Sequence, residues 1–233
     1  MRLPDPSTVD DALRDRRLAR AIGTRGVSAA PIYDAVWRQL LPFLEGDVLD
    51  FGAGTGTFTR MMRATERVRS VTAVDLAPPP ESLEGSNVRW LSADLNTALS
   101  LPGASFDVIT AVEVIEHLEN PRAVAREWYR LLRPGGTVLL STPNVESWRA
   151  LLSLAVRGHF VAFLEPSYPA HISALTAIDL RRALTEAGFQ DIDVSYTGHG
   201  RIPQLRMTWQ RVFGRLARGR RTSDNVVALA RKP

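Results

Sequence analysis

A chain of 233 residues, 45% hydrophobic and 23% charged, is long enough to bury one good core and suggests a single domain. It has no cysteine, which excludes disulfides and thiolate metal sites; neither a signal-peptide pattern nor a membrane-spanning run is found, so a cytoplasmic location is expected. The net charge of +4 is uneven, because Arg206, Arg211, Arg215, Arg218, Arg220 and Arg221 crowd one short segment.

Two amphipathic segments come first, Thr8 to Ala21 and Ala29 to Leu44. The second repeats Ile32, Val36, Leu40 and Leu44 at helical spacing, so residues 1–44 read as an N-terminal helical cap. Short β-branched runs then alternate with helical patterns. The runs are "DVLDFG", "SVTAVDL", "VRWLSAD", "FDVITAVE", "GTVLLSTP", "DIDVSYTG" and "NVVALAR", with helices expected after Thr57, Asn120 and Thr176. This predicts an α/β fold: one mostly parallel sheet with helices on both faces and no separate second domain.

The stretch "VLDFGAGTGTFTR" places Gly52, Gly54 and Gly56 between the first strand and the first helix of that pattern. In an open α/β sheet this is the crevice outside the carboxyl end of a strand, where ligands bind. Glycines there let the chain turn sharply and let a ligand rest on bare backbone. The second strand ends at Asp75, roughly twenty residues further on, where a carboxylate can accept from both hydroxyls of a ribose. No Gly-Lys-Ser/Thr follows the glycines, and Asp50 and Asp75 make the site acidic, so a cationic nucleoside fits better than a phosphate.

With "VLDFGAGTG", "AVDL", "SADL", "FDVITAVEVIEHL", "LLRPGGTVLLSTPN" and "LTEAGF" in this order, the sequence resembles the class I S-adenosylmethionine-dependent methyltransferases from about Val48 to Arg231. The resemblance implies a seven-stranded Rossmann-like sheet whose last strand runs antiparallel. It also implies S-adenosylmethionine as cofactor, with Asp50, Gly52, Gly54 and Gly56 around the amino-acid portion, Asp75 at the ribose diol, and Asp94 with Leu95 at the adenine. Enzymes of this class that methylate adenine or glutamine nitrogens carry an Asn-Pro-Pro-aromatic run after the fourth strand. Here that place reads "AVEVIEHL", which disfavours those acceptors.

A hydroxyl acceptor must lose its proton, to a general base or under the influence of a metal. Glu113, Glu116 and His117 stand at helical spacings, so a helix after the fourth strand would turn them toward the crevice, and His171 in "YPAHISALT" is the fourth candidate donor. Together they suit a hard divalent ion, Mg2+ or Mn2+. The run resembles that of the metal-dependent O-methyltransferases of small-RNA 3′ ends and of ubiquinone biosynthesis, which carry an "E..EH" run here and a downstream histidine. A second reading stands beside this one: Glu113 touches only the cofactor, Glu116 is a solvated helix residue, and His117 is a metal-free base or a helix-packing group.

Acceptor selection is expected in two irregular segments, 145–176 and 201–223. In the second, Leu205, Trp209, Val212, Phe213 and Leu216 are predicted along one face of a helix and arginines along the other. Such a surface, from Leu205 to Arg221, suits an acidic substrate or a peripheral membrane contact. The expected function is O-methylation of a small-molecule hydroxyl, on a sugar, a phenol or a lipid-linked intermediate. The alternatives are an RNA 2′-O-methyltransferase and a cofactor-binding module without catalysis. No RNA-reading module accompanies the basic cluster, which disfavours nucleic acid as partner.

Overall fold

The computed structural model describes residues 28–168 and 170–233, together with Arg16 and Ala19. The amphipathic segment Thr8 to Ala21 lies essentially outside the described residues. Seven strands form one sheet: β1 (Gly46–Phe51), β2 (Val68–Asp75), β3 (Val88–Ser92), β4 (Phe106–Val112), β5 (Leu132–Pro143), β6 (Gln190–Tyr196) and β7 (Asn225–Arg231). Their order is β3-β2-β1-β4-β5-β7-β6. Neighbours pair in parallel except β7, which runs antiparallel to both β5 and β6. The expected α/β fold with one reversed strand is what the chain adopts.

From residue 28 on, the described α-helices are α1 (Ala30–Leu40), α2 (Thr57–Arg63), α3 (Pro121–Leu131), α4 (Trp148–Arg157), α5 (Ala177–Ala187) and the short α6 (Trp209–Phe213). Local chemistry explains their starts. Asn120 caps α3 by accepting from the Ala123 N–H, with Pro121 in the first turn, where its missing N–H costs nothing. Thr176 and Asp179 form a reciprocal capping box on α5, and Gly188 closes that helix at φ 104°.

Alternate residues of the central strands enter two cores, one per sheet face. Leu49, Phe51, Ile109, Ala111, Val138 and Leu140 join Trp128 of α3 and Leu184 of α5 on one face. Val48, Val108, Val112 and Leu139 join Val36 of α1 and Met62 of α2 on the other. Both faces being covered, ligand access is left to the carboxyl edge of the strands.

Two local expectations are corrected. Glu113 sits at φ +55° and only Ile115–His117 forms a short 3-10 turn, so "EVIEH" is not one α-helix. The segment from Leu205 to Arg221 is not one amphipathic helix either. It is a loop holding α6 and a 3-10 turn at Gly214–Leu216, broken where Gly214 takes φ +55°.

Candidate functional site

The glycine turn leaves β1 with Gly52 at φ +84° and Gly56 at φ +70°, conformations that L side chains rarely adopt. Chain atoms already fill the space a side chain would need. A Cβ on Gly52 would lie 2.3 Å from Val114 Cγ2, and one on Gly56 would lie 2.7 Å from Leu83 Cδ1. The turn is therefore pressed between the β4 exit and the 3-10 turn Glu81–Leu83, while its backbone remains on the crevice side.

Asp75, at the end of β2, accepts from the Gly54 N–H through Oδ2 at 2.8 Å and from the Ala77 N–H through Oδ1 at 2.9 Å. Two backbone donors hold the carboxylate in place, and each oxygen retains a lone pair for a further donor. After β3, half-buried Asp94 accepts from the Asn96 N–H at 2.9 Å, and the adjoining Leu95 packs against the larger core. Asp50 lies elsewhere. Only 2% exposed, it accepts from Thr59 Oγ1 at 2.5 Å and Thr110 Oγ1 at 3.1 Å, beneath the turn. Burial pushes its carboxyl up to about 6. It supports the turn from below and is too enclosed to meet a ligand directly.

Beyond β4, Glu113 is clamped at the sheet edge. Ser141 Oγ donates to its Oε1 and Asn225 Nδ2 to its Oε2, each at 2.8 Å, and burial raises its carboxyl to about 7. Asn225 reaches it because antiparallel β7 begins opposite Pro143, the end of β5. Neither Ser141 nor Asn225 was singled out by sequence; the only signal was that each sits at the expected end of a strand.

Glu116 is fully buried. Thr142 Oγ1 donates to its Oε2 at 3.0 Å, while Oε1 has no hydrogen-bond partner among the described residues. Burial first, and the neighbouring Glu113 charge second, hold its carboxyl well above the usual range. His117 Nδ1 lies 2.9 Å from the Ala170 carbonyl, which can only accept, so Nδ1 carries the proton and Nε2 the lone pair. That lone pair faces Glu116 Oε1 across 4.0 Å. Burial, then the His171 charge, lower the imidazole to about 4.

His171 arrives on the 145–176 segment, which is stitched to the turn when Ile172 and Ser173 N–H both donate to the Glu116 carbonyl at 2.9 Å. The His171 ring meets the His117 ring edge-on at 4.7 Å. Glu116, His117 and His171 each offer one ligand atom, all within 4.8 Å of one another. Glu113 does not join that group: its oxygens are turned to Ser141 and Asn225 instead. The crevice thus divides into a glycine-turn side, from Gly52 to Leu95, and a polar cluster that can hold a cation or a hydroxyl.

A family model described as a methyltransferase domain matches residues 25–194. The chain is 31% identical over 157 residues to the ubiquinone biosynthesis O-methyltransferase of Idiomarina loihiensis, covering 64% of this chain and 63% of that protein. It is 30% identical to the malonyl-[acyl-carrier protein] O-methyltransferase of a Paenibacillus species, covering 64% of this chain and 56% of that one. The matches thus span less than two thirds of the length of these curated relatives. Among solved structures, the Burkholderia thailandensis 1,6-didemethyltoxoflavin-N1-methyltransferase with bound S-adenosylhomocysteine has a TM-score of 0.63 at 19% identity, covering 99% of this chain and 93% of that one.

Proposed function

The chain belongs to the methyltransferase-domain family, and on that premise we propose that it O-methylates a small-molecule hydroxyl with S-adenosylmethionine, assisted by a divalent metal ion. The cofactor fits an observation made on the chain itself: the Asp75 carboxylate is held by two backbone N–H groups at the end of β2, with lone pairs left for a ribose diol. When bound, S-adenosylmethionine supplies a methyl group on a sulfonium, open to in-line attack. The residues of the chain then have two tasks, to hold the nucleoside in register and to bring an acceptor oxygen opposite the methyl with water excluded.

The observation that carries the hydroxyl reading is the cluster Glu116, His117 and His171. A buried carboxylate oxygen without a partner is costly unless a proton or cation meets it, and the two imidazoles complete a donor set suited to Mg2+ or Mn2+. Bound there, such an ion would lower the pKa of an acceptor hydroxyl. His117 suits a ligand better than a base. Held near 4, its imidazole stays neutral with Nε2 available at neutral pH, yet it is a weak proton acceptor for a hydroxyl. Glu113 is the remaining acidic group at the β4 exit, and its proposed role is toward the cofactor.

The family supports methyl transfer, and both curated relatives named above are O-methyltransferases. We read the chain as one domain, with segments 145–176 and 201–223 as its acceptor side. The exposed stretch from Leu205 to Arg221 is proposed as a contact for an acidic substrate or an anionic membrane. A cytoplasmic setting is proposed with this reading; no helix among the described residues is long and apolar enough to cross a membrane.

The test is transfer of labelled methyl from S-adenosylmethionine to catechol-type and aliphatic hydroxyls, with RNA as the comparison. Transfer to a small hydroxyl that stops in chelator, returns with Mn2+ and fails in His171→Ala, while S-adenosylhomocysteine still binds, is expected. Full turnover in chelator would return His117 to the role of a metal-free base. Transfer only to RNA, or to nitrogen or carbon, would overturn the acceptor class.

A further inference from the structure

Beside the reaction centre, at the paired ends of β5 and β7, lies a cleft of about 180 Å³ lined by Asn144, Arg149, Phe160, Arg201, Asp224 and Asn225 among others. It is one residue removed from the centre on two sides. Asn225 lines the cleft and donates to Glu113. Phe160 lines it too, and its ring meets that of Phe163 at 6.4 Å, which in turn meets His171 at 5.6 Å.

The charges in this cleft do not balance. Arg149 comes from the first turn of α4 with its side chain only 25% exposed, and its guanidinium makes no hydrogen bond among the described residues. Its nearest carboxylate oxygen, Asp224 Oδ2, stands 3.8 Å away, beyond hydrogen-bond reach. That same oxygen already accepts from the Arg201 backbone N–H at 3.2 Å and lies 3.4 Å from Arg201 Nε. One carboxylate therefore faces two guanidiniums, leaving an excess positive charge. Neither guanidinium forms with Asp224 the short two-pronged contact open to an Arg–carboxylate pair. With 25% of its side chain exposed and no hydrogen bond among the described residues, Arg149 keeps its guanidinium donors for an acceptor that enters the cleft. The neighbouring wall is apolar, from Phe160 and Val161, as expected where the carbon skeleton of a ligand follows its charged end.

We infer that this cleft seats an anionic group of the methyl acceptor, a carboxylate or a phosphate, held by the Arg149 and Arg201 guanidiniums. The inference rests on the transferase reading and narrows its substrate class to acidic acceptors. An acid group fixed here places the attached skeleton along Phe160 and Asn225, so that its hydroxyl is directed toward Glu113 and the Glu116, His117 and His171 cluster. Arg149 and Arg201 are thus binding residues that orient the acceptor, with no part in moving the methyl group.

Titration of the S-adenosylhomocysteine-loaded full chain with benzoate, phenyl phosphate and uncharged benzamide, followed by nitrogen-15 NMR, tests this directly. At least one anion should bind roughly tenfold or more tighter than benzamide, as expected for charge-assisted hydrogen bonds, and the tighter one tells carboxylate from phosphate. That preference should disappear in Arg149→Gln and weaken in Arg201→Gln, the latter an exposed site where folding is safe. S-adenosylhomocysteine affinity should be unchanged in both. Equal affinity for the three probes, no saturable binding of either anion, or a preference that survives Arg149→Gln overturns the inference. Failure of the wild-type chain to bind S-adenosylhomocysteine overturns the transferase reading instead.

Discussion

At the scale of single residues, the carboxyl groups of this crevice divide by burial. Asp75 remains at the rim with spare lone pairs, whereas Asp50 is enclosed, with its carboxyl raised from 3.8 to about 6. The folded state holds that proton more tightly than the unfolded chain, so the contribution to stability is complete below about pH 4 and is lost as pH climbs through about 6. The ionised group then costs roughly 3 kcal/mol. Asp50→Asn, which still offers one acceptor and one donor to Thr59 and Thr110, should gain about 1–3 kcal/mol on the wild type between pH 4.5 and 7.5, measured by urea unfolding. Parallel pH profiles for the two proteins would contradict this account of Asp50. The aspartate was conspicuous in the sequence because it stands just before the glycines; its true environment depends on Thr59 and Thr110, which strand alternation alone does not pair with it.

At the scale of elements, strand and helix periodicities were legible and the exceptions had local causes. All seven β runs could be read, as could the starts of α2, α3 and α5: the strands by their β-branched runs, α3 and α5 by their capping residues, and α2 by the glycine turn before it. "EVIEH" was misread as a helix because its spacing fits one, whereas the left-handed Glu113 backbone and only a short 3-10 turn are what the crowded β4 exit accepts. The segment from Leu205 to Arg221 failed likewise at Gly214. Gln210 holds that loop, its side chain donating to the Ala217 and Thr222 carbonyls and accepting from the Gly200 N–H. Leu205, Val212, Phe213 and Leu216 are left exposed, Leu216 at 92%. Arg220 and Arg221 are engaged with Glu146, while no side-chain ion pair joins Arg211, Arg215 or Arg218 to the described residues. Apolar tips among free arginines suit an anionic lipid surface. Arg211→Gln, Arg215→Gln and Arg218→Gln together should weaken flotation with anionic vesicles and flatten its salt dependence, leaving cofactor affinity alone. Flotation indifferent to the triple change would return the loop to a purely structural role.

For the whole molecule, one topological feature assembles the site. Parallel β1 to β5 deliver the glycine turn, Asp75, Asp94, Glu113 and Asn144 to the same sheet edge, and reversed β7 begins there, bringing Asn225 to Glu113. Two cores of apolar side chains cover both faces and hold these ends in register. The turn residues, together with Glu116, His117 and His171, stand out in the sequence by glycine spacing and residue type, whereas Ser141, Arg149, Phe163 and Asn225 do not, because only tertiary packing brings them to this edge. The central claim is that this edge binds S-adenosylmethionine through Asp75, and calorimetry of S-adenosylhomocysteine with the wild-type chain and Asp75→Ala tests it most directly. The account predicts one-site binding to the wild type, weakened by about 1–3 kcal/mol in the variant as the ribose hydroxyls lose their acceptor. No binding to the wild type, or equal affinity in the two proteins, would contradict it.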